Sequence, residues 1–455
     1  MRYSSTICRL RCGQKSVYSV HDNKLCSPLT ALSDFTSQYH DLFNDKRLRT
    51  GFDAAIAGIL GSGSTKIRQI ARAAPQTCWV PHSERRFRRL IRRGNKRGQV
   101  KASEINQKFL ELGAKRLKNQ HEVRIILDGS DLRKPYSTSL EHLTTVRALN
   151  GDLIPGYCTL NAVGISSTGV QALLYQKTFS PLESGFKSER DEVRMAIQEI
   201  TKALRNAGVG RITWILDRGF DDEKVIHWII DGKDCFVIRA QHNRNVSTEG
   251  AGKIVKMFKV LNEQNLLGSL EMKRPKLENG KQRMRLSTGR TRAVQVFLND
   301  LTPVNVVGLE FLNDKAGEGG WVLLTNLPVN TASEVQQVIA LYALRWAIEE
   351  VFAWTKSFLD WEAVQVLDFE AIRMVVAYSF IAAGFVFELE QVLEPRVIGL
   401  LAHLGGWVPR ANTKPGRRVL TLGLQRFISG LVLQSVLGRM QLEDVVLHSS
   451  IHSGE

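Results

Sequence analysis

The chain has few cysteines for its length, and none of them sits in a metal-binding pattern. The six, at positions 8, 12, 26, 78, 158 and 235, include no C-x2-C pair. Cys8 and Cys12 could supply two zinc ligands, but no matching Cys or His pair follows at usable spacing. A closed zinc site is therefore not expected, and the cysteines read as free thiols of a reducing cytoplasm. Long apolar runs are missing as well. The longest uncharged stretch, Met374 to Phe387, lies between Arg373 and Glu388 and is too short to cross a bilayer, so it predicts a buried helix and no membrane partner. The opening MRYSSTICRLRC has Arg and Ser but no apolar core of a secretory signal; residues 1–45 carry little pattern and a loosely packed start is expected. A phosphate-binding loop is lacking too. GSGSTK departs from G-x4-G-K-[ST] because Ser64 follows Gly63 where Lys is required, and it follows an apolar helix rather than a strand, so no nucleotide cofactor is expected.

Acidic side chains are the remaining shortage. Against 62 Lys+Arg stand 45 Asp+Glu, a formal charge of +17 that points to a polyanionic partner, nucleic acid first. With 43% hydrophobic residues among 455, the chain has material for two or three domains with a substantial core.

From residue 46 to about 118 the pattern is helical. Its most basic segment is ERRFRRLIRRGNKR, where Phe87, Leu90 and Ile91 recur at helical spacing amid Arg85, Arg86, Arg89, Arg92 and Arg93. Like charge this dense repels itself along a helix unless an anion is present, which suits contact with DNA phosphates; a solvated charged face is the alternative. From Glu122 strands take over. VRIILDGSDL and the segments of TTVRALNGDLIPGYCTLNAVGISSTGVQALLYQ read as three or four strands, with Asn-Gly-Asp as a hairpin turn. A helix from about Glu189 to Asn206 follows, then the strand ITWILD, the helix DEKVIHWIIDG and the strand CFVIRAQ. This predicts an α/β mixed sheet with helices on its faces. A basic, strand-like block from about 246 to 330 reads as an inserted β-rich subdomain. The helical region 391–455 follows a catalytic span of 119–390.

Three acids carry the candidate chemistry. IIL runs into Asp128 and WIL into Asp217, each followed by a glycine-containing turn; carboxylates there point into the crevice where α/β sheets bind ligands. A pair of them suits hard divalent cations, although a strand-end Asp often only caps a turn. In a long helix, Tyr342, Arg345, Glu349 and Lys356 form Y-x2-R-x3-E-x6-K, whose steps of 3, 4 and 7 put all four on one face over about four turns. Glu349 would complete a metal site, Arg345 could grip a phosphate bidentately and Lys356 could act as a point charge. An ordinary i,i+4 ion pair between Arg345 and Glu349 is the alternative. Glu350 adjoins Glu349, and the spacing selects Glu349.

LDGSD around Asp128, LDRGFDD around Asp217 and YALRWAIEEVFAWTK from Tyr342 to Lys356 resemble the bacterial insertion-sequence transposases of the DDE type, in the subgroup marked by a Y-R-E-K signature. The resemblance covers roughly residues 50 to 390. It implies an RNase-H-like fold with a β-strand insertion between Asp217 and Glu349. It also implies two Mg2+ (or Mn2+) ions held by Asp128, Asp217 and Glu349, cut-and-paste transposition with end cleavage, hairpin formation and strand transfer, and a homodimer gripping double-stranded DNA ends. Trp321 occupies the place of a tryptophan that receives a flipped base, core packing being the alternative. FVIRAQHNR resembles a strand whose Arg meets the DNA backbone, which points to Arg239, with His242 and Arg244 nearby. Two rivals stand beside this expectation: a metal nuclease on the same fold that cuts without joining, and a catalytically idle DNA-binding relic.

Overall fold

The computed structural model describes residues 27–437 apart from 76–79, 93–99, 149–150, 242, 249–253, 279–280, 313–319 and 410–412. His242, Arg93 and the Asn150 of the expected Asn-Gly-Asp turn lie outside the described residues.

The chain starts its described part with five helices: α1 (Pro28–Ser37), α2 (Lys46–Ser62), α3 (Ile67–Ala73), α4 (Val80–Ile91) and α5 (Ala102–Arg116). The first puts a helix at 28–37, where little pattern was expected, while residues 1–26 of that stretch lie outside the described residues. Ser27 caps α1 by accepting from the Thr30 N–H, proline stands in its first turn, and Ala31, Leu32 and Phe35 are buried at helical spacing. The signal was a short one, a Ser-Pro start followed by three apolar residues. The GSGST run ends α2, with Gly63 in the left-handed conformation at φ +59° as its C-cap.

The strands follow: β1 (Glu122–Arg133), β2 (Thr144–Arg147), β3 (Leu153–Ser166) and β4 (Gln171–Phe179), then α6 (Glu189–Asn206), β5 (Arg211–Leu216), α7 (Glu223–Asp231) and β6 (Cys235–Arg239). The basic block contributes β7 (Asn245–Ser247), β8 (Ile254–Lys256), α8 (Met257–Asn262), β9 (Gly268–Glu278), β10 (Lys281–Phe297), β11 (Pro303–Phe311) and β12 (Trp321–Thr325). One mixed sheet results, in the order β2-β3-β1-β5-β6-β12-β11-β10-β7-β8, with β4 on β3 and β9 on β10. β1, β5 and β6 are parallel neighbours, whereas β3 and β12 run antiparallel to their partners. The basic block therefore extends the main sheet through β12 and β11 instead of standing beside it. β12 can enter there because Leu323 and Leu324 are both fully buried, one toward each face.

Period-two alternation gives the sheet two cores. Val123, Ile125, Leu127, Trp214, Leu216, Phe236 and Ile238 meet α6, α7 and α8. Ile126, Ile215, Val237 and Leu323 face the other way, toward a helical layer. That layer contains α9 (Ala332–Ala343), α10 (Trp346–Phe358), α11 (Phe369–Val392), α12 (Pro395–Leu404) and α13 (Arg417–Leu437). α11 is the buried helix expected at Met374–Phe387, and α1, α2, α4 and α5 pack around it, while α13 lies on α2 and α3. By length and composition α11 and the span Arg417–Val436 could each cross a membrane, but 94% of the α11 window is covered by the rest of the protein.

Candidate active site

Strand parity decides which way the acids point. Ile126 and Ile215 face the helical layer, so Asp128 and Asp217, two residues on, face it as well. The parallel register pairs Leu127 with Leu216 and ends there, which sets the two aspartates side by side. β1 does not stop in a turn at Gly129, as the sequence suggested. It runs on to Arg133 because β3 continues to pair with it, Asp128 opposite Asn161. The crevice opens where β5 leaves β1, while β1 itself carries on.

The long helix expected to carry Tyr342 to Lys356 is tightened in its middle. Leu344 N–H donates to Leu341 O, Arg345 N–H to Tyr342 O and Ala347 N–H to Leu344 O, an i to i+3 pattern that separates α9 from α10. In such a turn residues three apart eclipse, and the Arg345 guanidinium carbon lies 5.9 Å from the centre of the Tyr342 ring. Tyr342 and Arg345 thus come to the crevice from one joint, Tyr342 from the end of α9 and Arg345 at the start of α10. Glu349 follows in the first turn of α10.

The polar contacts are few and specific. The Tyr342 hydroxyl donates to Asp217 Oδ1 at 3.0 Å. Arg345 Nη2 donates to Glu349 Oε1 at 2.5 Å, and its Nη1 lies 3.6 Å from Asp128 Oδ2. Asp128 Oδ1 accepts from the Gly129 N–H at 2.9 Å. Burial pushes the Asp128 carboxyl up to about 6 against the pull of Arg345, with the charges of Asp217 and Glu349 pushing the same way as burial. Burial works to raise Asp217 too. There Arg345, the Arg218 N–H, the Tyr342 hydroxyl and Arg239 together hold it below its ordinary value. Two neighbouring carboxyls are thus driven apart in acidity by their surroundings. Burial first, then the Asp217 charge, raises Tyr342, which stays a phenol.

The Glu350 charge acts on Arg417 of α13, whereas Glu349 meets Arg345 and its charge acts on Asp128. Lys356 reaches Asp131 at 3.7 Å and Glu362 at 3.5 Å, carboxylates that sequence reasoning did not single out. Beside them the buried Lys134 donates to Glu362 O at 2.5 Å and Val364 O at 2.7 Å, tying the end of β1 to the chain after α10. Thr65 adds a bond to Asp360 O at 2.8 Å from the run that resembled a phosphate loop. The only hint in the sequence was the density of charge in LDGSDLRK.

Other expected site residues are placed less simply. Trp321 is 8% exposed and packs edge-on to Tyr342 at 4.9 Å, with Phe311 and Trp346 around it, so its ring is covered where a flipped base was expected to stack. Arg239 acts electrostatically on Asp217 from the end of β6. Arg244 departs from its expected DNA contact: its side chain is 9% exposed and engaged with the fully buried Asp221. On α4, Phe87, Leu90 and Ile91 are buried, leaving Arg85 and Arg89 exposed on the opposite face, with Arg92 exposed just past the helix end; the Arg86 stem packs against Gly51.

The donors suit a hard cation in kind, being carboxylates from two adjacent strands and a facing helix. Yet among the described residues no three His, Cys, Asp or Glu side chains are disposed to hold a metal ion, and Glu349 is paired with Arg345. A mixed sheet flanked by helices, with acids from its parallel strands opposite an acid from a covering helix, is consistent with an RNase-H-like polynucleotide-processing protein. The family model for the transposase DDE domain matches residues 120–384, more than half of the chain, and the chain belongs to that family. The matched span takes in Asp128, Asp217 and Glu349. Its function is accordingly of the transposase type, and the family implies DNA as a partner.

Proposed function

We propose that this chain is a cut-and-paste transposase of the Y-R-E-K type, which cleaves DNA at transposon ends and joins the freed strand to a target. The observation that carries the reading is the convergence of Asp128, Asp217 and the first turn of α10 on one face of the sheet, through the Leu127–Leu216 register. Asp128, Asp217 and Glu349 would hold Mg2+ or Mn2+, two ions in the family's manner. When bound, such ions polarise a phosphodiester oxygen and make a water or a 3′-hydroxyl a better nucleophile.

The chain's own groups supply the rest. Tyr342 fixes the orientation of Asp217 through its hydroxyl. Arg345 offers a planar, permanently charged fork to a phosphate, and Arg239 adds positive charge beside it. The exposed arginines of α4 would hold duplex backbone, with residues 46–118 as the DNA-binding helices and 119–390 as the catalytic body. The 391–455 region and a homodimer in the synaptic complex belong to the same reading.

Asp128→Asn tests it. Mg2+-dependent cleavage of end-bearing DNA is expected to disappear while the variant still shifts the same DNA in a gel; undiminished cleavage would refute the assignment. Wild type given pre-cleaved ends and a target should form joined products, and cleavage without joining would favour the nuclease rival.

A further inference from the structure

One guanidinium stands among all three acids of the crevice. Arg345 donates to Glu349 at 2.5 Å, lies 3.6 Å from Asp128, and its charge acts on Asp217. Its side chain is only 13% exposed, and its Nε is buried with no hydrogen-bond partner. A cation so placed neutralises the same carboxylates that a divalent ion would need, and it occupies a coordinating oxygen of Glu349. The hold is nevertheless incomplete: one short bond, one longer ion pair and an unmet donor. A phosphate would satisfy the fork better, since planar bidentate pairing with an oxyanion uses two donors at once.

We propose that Arg345 is an internal counter-cation that competes with divalent metal for Asp128 and Glu349, and that a DNA phosphate, by taking Arg345 for itself, releases these acids and so couples metal binding to DNA binding. This inference rests on the reading that the three acids form a cation site. Its logic is that of linkage. Any ligand that favours the withdrawn position of Arg345 strengthens binding at the acids, and the effect is reciprocal. Glu349 has room to respond, because its side chain is half exposed. The 3₁₀-like joint at Leu344–Ala347 gives Arg345 a separate pivot from the body of α10.

The test uses the full chain and Mn2+ titrations followed by electron paramagnetic resonance, with and without a short duplex. Arg345→Ala is expected to bind Mn2+ about tenfold tighter than wild type when no DNA is present, a coupling of ordinary size. Arg345→Gln, which keeps the side-chain length without the charge, should do the same and serves if alanine compromises folding. Arg239→Ala removes a nearby charge that holds neither Asp128 nor Glu349, and should gain less than about threefold on the same scale. Adding the duplex should tighten Mn2+ more in wild type than in Arg345→Ala. Equal affinities of wild type, Arg345→Ala and Arg345→Gln without DNA would overturn the proposal, as would equal gains on adding DNA or an Arg239→Ala gain matching that of Arg345→Ala. Asp217→Asn separates the two levels. If it leaves Mn2+ binding unchanged, the cation-site reading falls and the coupling with it; if it abolishes binding, any failure at Arg345 counts against the coupling alone.

Discussion

Asp128 and Asp217 are neighbours because the parallel pairing of their strands stops one residue before both of them, at Leu127 and Leu216. Nothing in either local segment encodes that adjacency. It follows from a crossover through α6 that carries the chain from β4, beyond β3 on one side of β1, to β5 on the other side, parallel to β1. The relationship also makes the pair unequal, since Asp217 receives the Tyr342 hydroxyl and Asp128 does not.

Tyr342→Phe should expose that inequality. Losing a single neutral-to-charged hydrogen bond costs about 1.5–3 kcal/mol at the carboxylate, which now titrates higher. The protein should fold as before, because the ring keeps its contact with Trp321. Cleavage at neutral pH should drop about tenfold, and the acid limb of the pH–rate profile should move upward. A profile superimposable on that of wild type would show that the hydroxyl does nothing for Asp217.

Arg244 offers a contrasting case, in which an expected DNA contact is replaced by a structural one. Asp221 is fully buried and accepts from Arg244 as well as from the Gln241 N–H at 2.7 Å. Arg244→Ala would leave that carboxylate without its charged partner, at a cost of about 3–5 kcal/mol in denaturant unfolding. The DNA affinity of the folded fraction should stay within about twofold of wild type, a difference of under half a kcal/mol. A variant of full stability with weakened DNA binding would restore the original expectation for Arg244.

How much was legible in advance depended on the range of the interaction. The apolar periodicity around Ile126, Trp214 and Phe236 announced a buried sheet, and the spacing of Tyr342, Arg345 and Glu349 announced a shared face. Both are local patterns. The tightened turn at Leu344 was not legible, because ALYALRWAIEE has no Gly or Pro to mark it; Tyr342, just before the joint, packs on Trp321, a partner that only the fold supplies. The fate of Arg244 and Lys356 was equally hidden. A basic residue pairs with DNA or with a protein carboxylate according to what lies beside it, and Asp221, Asp131 and Glu362 are brought there only by the fold. The extension of the sheet through β12 depended on long-range register of the same kind.

The exposed face of α4 leads to a prediction about salt. Arg85 and Arg89 stand outward while Arg88 is paired with Glu84 at 2.9 Å. If Arg85 and Arg89 meet phosphates, each alanine substitution should lower the slope of log affinity against log salt by about 0.9, with little sequence preference in the loss. Thermal stability should hardly change, since neither side chain is buried. An unchanged slope in the Arg85→Ala, Arg89→Ala double variant would reduce this helix to a solvated charged face.

The buried pair Glu388 and Arg116 joins α11 to α5 and sets a pH dependence of stability. Burial pushes the Glu388 carboxyl up to about 7, against the pull of Arg116. A carboxyl that holds its proton more tightly in the folded state than in the unfolded one favours folding at low pH. That advantage fades as pH rises from the unfolded value, near 4.5, through the folded one near 7. Over this window the group should cost wild type about 3 kcal/mol of unfolding free energy. Glu388→Gln should lack that component, so the difference between the two denaturant midpoints, followed from pH 4.5 to 7, isolates it. Glu388→Leu alone would strand Arg116 in the core and destabilise by about 3–5 kcal/mol, whereas Glu388→Leu with Arg116→Met should recover most of the loss. Parallel midpoint curves for wild type and Glu388→Gln would mean that the carboxyl is solvated enough to titrate normally, and the tight junction of α5 with α11 would then have to loosen in solution.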